Sequence, residues 1–333
     1  MFGPGCLTFF LCAFVAVEAG SQSLGSEAST TPRCDGPSPP EALDLASVPC
    51  GGKALRSWKW PVPLPSGVSL SGIWASALRQ MGLIVHGEDA AAGEFPFIAT
   101  LNYNYGSQLY FICGCNIISD LYVVTAAHCS AGPASSYTVK IRKYDIRRST
   151  TTKEDSQDQT IAVDAVFVHP SYNSSLLRSG HDIALMRLKE KIQWNAYAQP
   201  ICVAKTDDEA VFGNPETRNI IYGWGRLYTG GPVASNLQKL DVKIMDQKTC
   251  YDKGNTLATD GRLVCILGIP DDVGGACNGD SGGPLATAYR STAYLTGLTS
   301  YTMGTCAIQG VPDVYTRLSY FADWIYQYVK GSS

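Results

Sequence analysis

Six short apolar runs dominate the chain beyond residue 84: FPFIATLNY, YFICGCNIIS, LYVVTAA, TIAVDAVFV, DIALMRL and TAYLTGLTSY, set off by Gly, Asn, Asp and Ser. Runs this short leave little room for long helices. Their β-branched and aromatic content suits a pleated surface, so they specify an all-β barrel or sandwich. Only FADWIYQYVK near the C-terminus has helical spacing, with Trp324, Ile325, Tyr328 and Val329 on one face. The sequence contains no internal repeat, transmembrane helix or low-complexity tract.

With 333 residues, 45% hydrophobic and 17% charged, and a net charge near −3, the chain is neither disordered in composition nor polyionic. Nucleic-acid binding driven by excess positive charge is not expected. Twelve cysteines are unusual for a reducing cytosol and point to export. Between Leu7 and Val17 lies an apolar core of eleven residues, LTFFLCAFVAV. A bilayer needs about 20 helical residues, so this core reads as a signal peptide over residues 1–19 rather than a span. Val17 and Ala19 suit cleavage after Ala19, although no Lys or Arg precedes the core. An interfacial anchor is the competing reading. The expected location is extracellular, with no membrane anchor.

Residues 20–83 differ in character. Eight prolines (Pro32, Pro37, Pro39, Pro40, Pro49, Pro61, Pro63 and Pro65) each remove a backbone donor and fix φ, so no regular core is expected there. Cys34 and Cys50 are too few for a self-standing disulfide module, and Trp58, Trp60 and Trp74 offer ways to dock on a neighbour. The segment reads as a tethered, partly extended pro-segment preceding a domain over residues 84–333.

Three strings carry chemistry together: TAAHC at 125–129, HDIALMRL at 181–188 and GDSGGPL at 279–285. With IVHG at Ile84, HPSYN at His169, YGWG at Tyr222 and PDVYTR at Pro312, this set resembles the trypsin- and chymotrypsin-like serine proteases, over residues 84 to about 330. The resemblance implies two packed six-stranded antiparallel β-barrels with a short C-terminal helix. A serine hydroxyl needs an imidazole to take its proton, and the imidazole needs a carboxylate to fix its tautomer. Ser281, His128 and Asp182 fit those roles in the chymotrypsin order. Separations of 54 (182 − 128) and 99 (281 − 182) residues mean that only the folded barrels could assemble them. Of the other histidines, His86, His169 and His181 stand where the family places no base, and His169 reads as a surface or packing residue.

By the same resemblance, Gly279 and Ser281 present their amides as an oxyanion hole. Cleavage before Ile84 would release an ammonium to pair with Asp280. Here Leu83, rather than Arg or Lys, precedes Ile84. That leaves three routes: a chymotrypsin-like activating protease, self-cleavage, or a cut after Arg79 followed by trimming. The implied partners are protein or peptide substrates, an activating protease and protein protease inhibitors, with no organic cofactor.

Removing residues 1–19 leaves ten cysteines. Family matching pairs Cys113 with Cys129, Cys250 with Cys265, and Cys277 with Cys306. Cys202 matches a position that tethers pro-segments, which leaves Cys34 or Cys50 as its partner. Cys115 either pairs with the remaining one or stays free. In the substrate pocket, Gly275 replaces the Asp of trypsins and Asp313 stands on the far wall, a pairing similar to that of crustacean collagenolytic proteases (brachyurins) and some arthropod chymotrypsins. Thr302 narrows the mouth. The favoured preference is chymotrypsin-like or broad, with elastase-like and trypsin-like specificity as competitors. Asn173 in NSS is a glycosylation sequon. The loop RKYDIRRSTTTKEDSQD puts Arg142 and Lys143 where calcium ligands would be needed, so no metal is expected. A rival reading from another class is a catalytically silent homologue that binds partners, against which the complete triad argues.

Overall fold

The computed structural model describes residues 41–45, 49–51, 84–85, 87–141, 145–146, 158–206, 217–269, 271–289 and 292–330. The signal-peptide assignment, most of the pro-segment with Cys34 and its three tryptophans, Leu83, His86 and most of the loop 142–157 lie outside these residues.

A two-residue strand β1 (Glu88–Asp89) precedes the first barrel. That barrel consists of β2 (Ile98–Tyr105), β3 (Gln108–Ile117), β4 (Tyr122–Thr125), β5 (Tyr137–Ile141), β6 (Gln159–Val168) and β7 (Ala184–Leu188). It closes in the order β2-β3-β4-β7-β6-β5. A connecting strand β8 (Cys202–Val203) leads to the second barrel: β9 (Arg218–Gly223), β10 (Gln238–Ile244), β11 (Leu263–Gly268), β12 (Pro284–Tyr289), β13 (Thr292–Thr302) and β14 (Asp313–Arg317). Its order is β9-β10-β11-β14-β13-β12, closed by the β12–β9 pairing. All pairings within the two barrels are antiparallel; β8 adds a short parallel contact to β13. The expected two six-stranded barrels are therefore present.

The apolar runs close into barrels because each strand sends alternate side chains to one interior. Leu101, Ile117, Val123, Val139, Val163 and Met186 fill the first. Ile221, Leu240, Val264, Ile266, Leu285 and Tyr315 fill the second, together with Ile84. A third cluster joins the barrels, with Phe97, Val124 and Leu185 meeting Tyr222, Trp224 and Leu298. Helix α1 (Gln247–Gly254) was not expected from the sequence; Asp246 caps it by accepting from the Thr249 N–H at 2.9 Å. The C-terminal helix α2 (Ala322–Lys330) was expected, and it buries Ala322, Ile325 and Val329 while Trp324 and Tyr328 pack beside them. Among the described residues no helix is long and apolar enough to cross a membrane.

Among the described residues four disulfides are formed: Cys113–Cys129, Cys250–Cys265, Cys277–Cys306 and Cys50–Cys202. The last decides the choice left open for Cys202. The same upstream stretch is also held without it, because the Leu43 N–H donates to the Val203 carbonyl at 2.8 Å and both Leu43 and Leu45 are buried in the inter-barrel cluster. Cys115 carries no disulfide. It is buried in the first barrel, which pushes its thiol well above the ordinary range.

Candidate active site

The site lies where the two barrels meet. His128 sits on a one-turn 3₁₀ segment (Ala127–Cys129) at the end of β4, which the Cys113–Cys129 bond straps to β3. Asp182 immediately precedes the Ile183–Ala184 entry into β7 and is fully buried. Its Oδ1 accepts from the His128 backbone N–H at 2.9 Å, and its Oδ2 lies 2.8 Å from His128 Nδ1. An ionised carboxylate can only accept, so this contact makes Nδ1 the donor and leaves Nε2 as the acceptor.

The second barrel completes the hold on Asp182. Ser300 Oγ donates to Oδ2 at 2.6 Å, and Thr316 Oγ1 donates to the Asp182 backbone carbonyl at 2.9 Å. Neither hydroxyl was singled out from the sequence. Only the register of β13 and β14 brings them there, so no local string announces them.

Ser281 belongs to a loop that is wedged against the first barrel. Its carbonyl accepts from the Gly114 N–H at 2.9 Å, and Asn116 Nδ2 donates to the Gly282 carbonyl at 3.0 Å. Gly282 adopts φ +69°, and a Cβ there would run into Thr125 Oγ1 and, at 2.7 Å, the Gly114 carbonyl. Only glycine fits that approach, which accounts for its place directly after the serine. Gly279 has φ +100°. The N–H groups of Gly279 and Ser281 have no acceptor among the described residues. His128, Gly279 and Ser281 line a common cleft of about 580 Å³.

Two further carboxylates are buried below the loop. Asp280 accepts from the Gly225 N–H at 2.8 Å and the Cys277 N–H at 2.9 Å. Burial pushes its carboxyl up to about 6 against the pull of those two bonds. Asp313 opens β14 opposite Thr302, and its Oδ2 accepts from the Ala276 N–H at 2.7 Å. Burial pushes it up to about 8, the Ala276 bond opposing and Asp280 adding to the rise. Gly275 packs so closely on this carboxylate that a Cβ would overlap Oδ2. The three pocket candidates Gly275, Thr302 and Asp313 are thus brought together.

Ile84 is buried, 1% exposed, and Val85 bridges to Gly275, whose N–H donates to the Val85 carbonyl at 3.3 Å. His169 and His181 stack on each other with ring centroids 5.0 Å apart, and His169 also packs against Phe321 and Trp324. Arg262 Nη1 lies 2.8 Å from His181 Nε2. Burial, then the neighbouring His181 and Arg262, push His169 down to about 4. Asn173 is exposed, its Oδ1 accepting from the Ser175 N–H at 2.9 Å. Cys113, His128 and Cys129 are close enough to suggest a metal cluster, but the two sulfurs are bonded to each other and offer no thiolate.

The Trypsin family model matches residues 84–325. Coagulation factor IX of Oryctolagus cuniculus is 36% identical over 243 residues, which cover 72% of this chain and 82% of that protein. Trypsin-1 of Astacus astacus is 32% identical over 247 residues, 73% of this chain and 98% of that protein. Chymotrypsin-like elastase family member 3B of Homo sapiens is 33% identical over 261 residues, 77% of this chain and 92% of that protein.

Proposed function

Because this chain belongs to the trypsin family of serine proteases, we propose that it is a secreted endopeptidase, made as an inactive precursor, that cleaves proteins through His128, Asp182 and Ser281. The observation that carries this reading is His128, bonded to the buried Asp182 behind it, in one cleft with Gly279 and Ser281, whose amides have no acceptor among the described residues. In the proposed reaction His128 Nε2 takes the Ser281 hydroxyl proton as Oγ attacks the peptide carbonyl. The oxyanion is met by the N–H groups of Gly279 and Ser281. His128 then passes the proton to the leaving amine, and a water deprotonated by the same imidazole hydrolyses the ester at Ser281.

Activation is proposed to begin with a cut between Leu83 and Ile84. Asp280 is a buried carboxylate held only by backbone N–H groups among its described hydrogen bonds, so a new ammonium at Ile84 would complete it. Primary specificity is read as chymotrypsin-like or broad. Burial holds the Asp313 carboxyl well above the ordinary carboxylate range, which disfavours its charged form and with it a basic residue before the scissile bond. The N-terminal signal peptide, the glycan on Asn173 and engagement by protein protease inhibitors belong to the same proposal. The test is labelling with a fluorophosphonate, which esterifies an activated serine. Mass mapping is expected to find the adduct on Ser281 in the cut protein. An inert cut protein would fit a silent binding homologue instead.

A further inference from the structure

Asp182 sits on a backbone bend that the chain would not adopt unaided. Gly180 has φ +80° with ψ −156°, and His181 has φ +63°. The first conformation is open to glycine almost alone, and the second is uncommon for a residue with a Cβ. The Ile183 N–H then donates to the His181 carbonyl at 2.8 Å, which closes a three-residue turn with Asp182 at its centre. Backbone of this kind persists only where its surroundings hold it.

The second barrel grips the bend chiefly through one side chain. Arg262 stands immediately before β11, and its carbonyl accepts from the Arg317 N–H at the end of β14 at 2.9 Å. Its Nη1 lies 3.3 Å from the Ser179 carbonyl, 2.8 Å from His181 Nε2 and 3.0 Å from His181 Nδ1. A Cβ at Gly180 would come within 2.7 Å of Arg262 Cδ, so the stem of the side chain lies along the bend itself. Ser179, Gly180 and His181 are thus all engaged by Arg262, and Asp182 is the next residue. A little upstream, the Leu257 N–H donates to the Arg178 carbonyl at 2.9 Å.

Arg262 is itself fixed. Its Nε donates to Asp260 Oδ1 at 2.7 Å and its Nη2 to Asp260 Oδ2, and Tyr320 Oη donates to the same Oδ2 at 2.7 Å. The Arg262 bonds hold the Asp260 carboxyl well below the ordinary range against its burial. A paired fork of this kind fixes direction as well as charge. A guanidinium has donors only, so its contact with His181 needs a neutral ring. Burial, then Arg262, lower the His181 pKa, with Asp260 opposing, which favours that form. The ring also stacks on His169, with centroids 5.0 Å apart.

We infer that Arg262 is a positioning residue for Asp182: its guanidinium clamps the bend through Ser179 and His181 and so sets where the carboxylate meets His128. Arg262 is not among the described residues that line the cleft of His128 and Ser281, so its effect runs through Asp182. The inference rests on the proposed peptidase activity and assigns it a further residue.

The experiment uses protein cut before Ile84 and steady-state kinetics on one peptide. Arg262→Ala is expected to lower kcat by about 10–100-fold, the cost of a small misplacement among reacting groups, with KM within about threefold of the parent. His181→Ala should lower kcat too. His181→Asn should recover most of that loss, because Asn tolerates a left-handed φ and its side-chain oxygen accepts from a guanidinium. The double variant of Arg262→Ala and His181→Ala should lose no more than Arg262→Ala alone, since the two side chains act as one contact. Equal kcat in folded Arg262→Ala and parent overturns the inference, as do losses that multiply in the double variant. A loss confined to KM overturns it as well, by making Arg262 a substrate contact. Should Arg262→Ala fail to fold, the His181 pair decides, and His181→Asn no better than His181→Ala overturns the clamp. Inactivity of the parent protein toward both peptide and fluorophosphonate would instead overturn the peptidase reading beneath it.

Discussion

Asp182 and Asp280 are both buried carboxylates, at 0% and 4% exposure, but they are held in different ways. Asp182 is gripped by an imidazole, a hydroxyl and a backbone N–H drawn from both barrels. Asp280 has two backbone N–H groups, and burial still pushes its carboxyl up to about 6. Those two hydrogen bonds alone do not offset the desolvation of Asp280. The half of the site around His128 is therefore built into the fold, and the half around Asp280 is proposed to wait for the cut at Ile84.

The largest expected effect breaks the finished half. Asp182→Asn keeps the shape but presents the wrong group to Nδ1, and should lower kcat by about 10⁴-fold; steady-state kinetics on one peptide will check it. A loss of less than tenfold would mean that His128 does not depend on Asp182. Next comes the unfinished half. Asp280→Asn in the cut protein should cost about 10²–10³ in kcat, the magnitude of a lost oxyanion donor, because the Ile84 ammonium would have no charge to meet. Equal kcat in cut Asp280→Asn and cut parent protein would remove Asp280 from activation.

Smaller effects separate stability from chemistry. Leu43→Ala empties a buried site in the inter-barrel cluster and should cost about 2–5 kcal/mol of stability, read by denaturant unfolding, with kcat unchanged. The last effect concerns Asp313, whose carboxyl is raised from 3.8 to about 8. A group raised in the folded state stabilises fully below its unfolded value and loses that contribution as pH rises through the folded one. Its share of stability should therefore decline between about pH 4 and pH 8. Asp313→Asn should flatten that part of the Tm–pH curve, and identical curves would show that Asp313 is not the titrating group. As pH rises through about 8 the parent protein should gain cleavage after Lys and Arg relative to Phe as the folded-state carboxylate ionises, and the variant should not.

His128, Asp182 and Ser281 were legible because each sits in a short local string, and the barrels because strand length and punctuation are local properties too. Ser300 and Thr316 were not, since their contacts with Asp182 depend on which strands become neighbours and in what register. Helix α1 was missed because its eight residues, QKTCYDKG, carry almost no apolar stripe. The Asp246 cap and the left-handed Asn255 after it were the only signals. Cys115 could not be placed from sequence because its isolation depends on its pointing into the first barrel.

The contrast between the two halves is tested most directly by one chain with an engineered junction before Ile84, assayed on one peptide before and after the cut. The account predicts a rise in kcat/KM of about 10²-fold or more, abolished by Ser281→Ala. Equal activity before and after cleavage would contradict it, because the site would then be complete in the uncut chain.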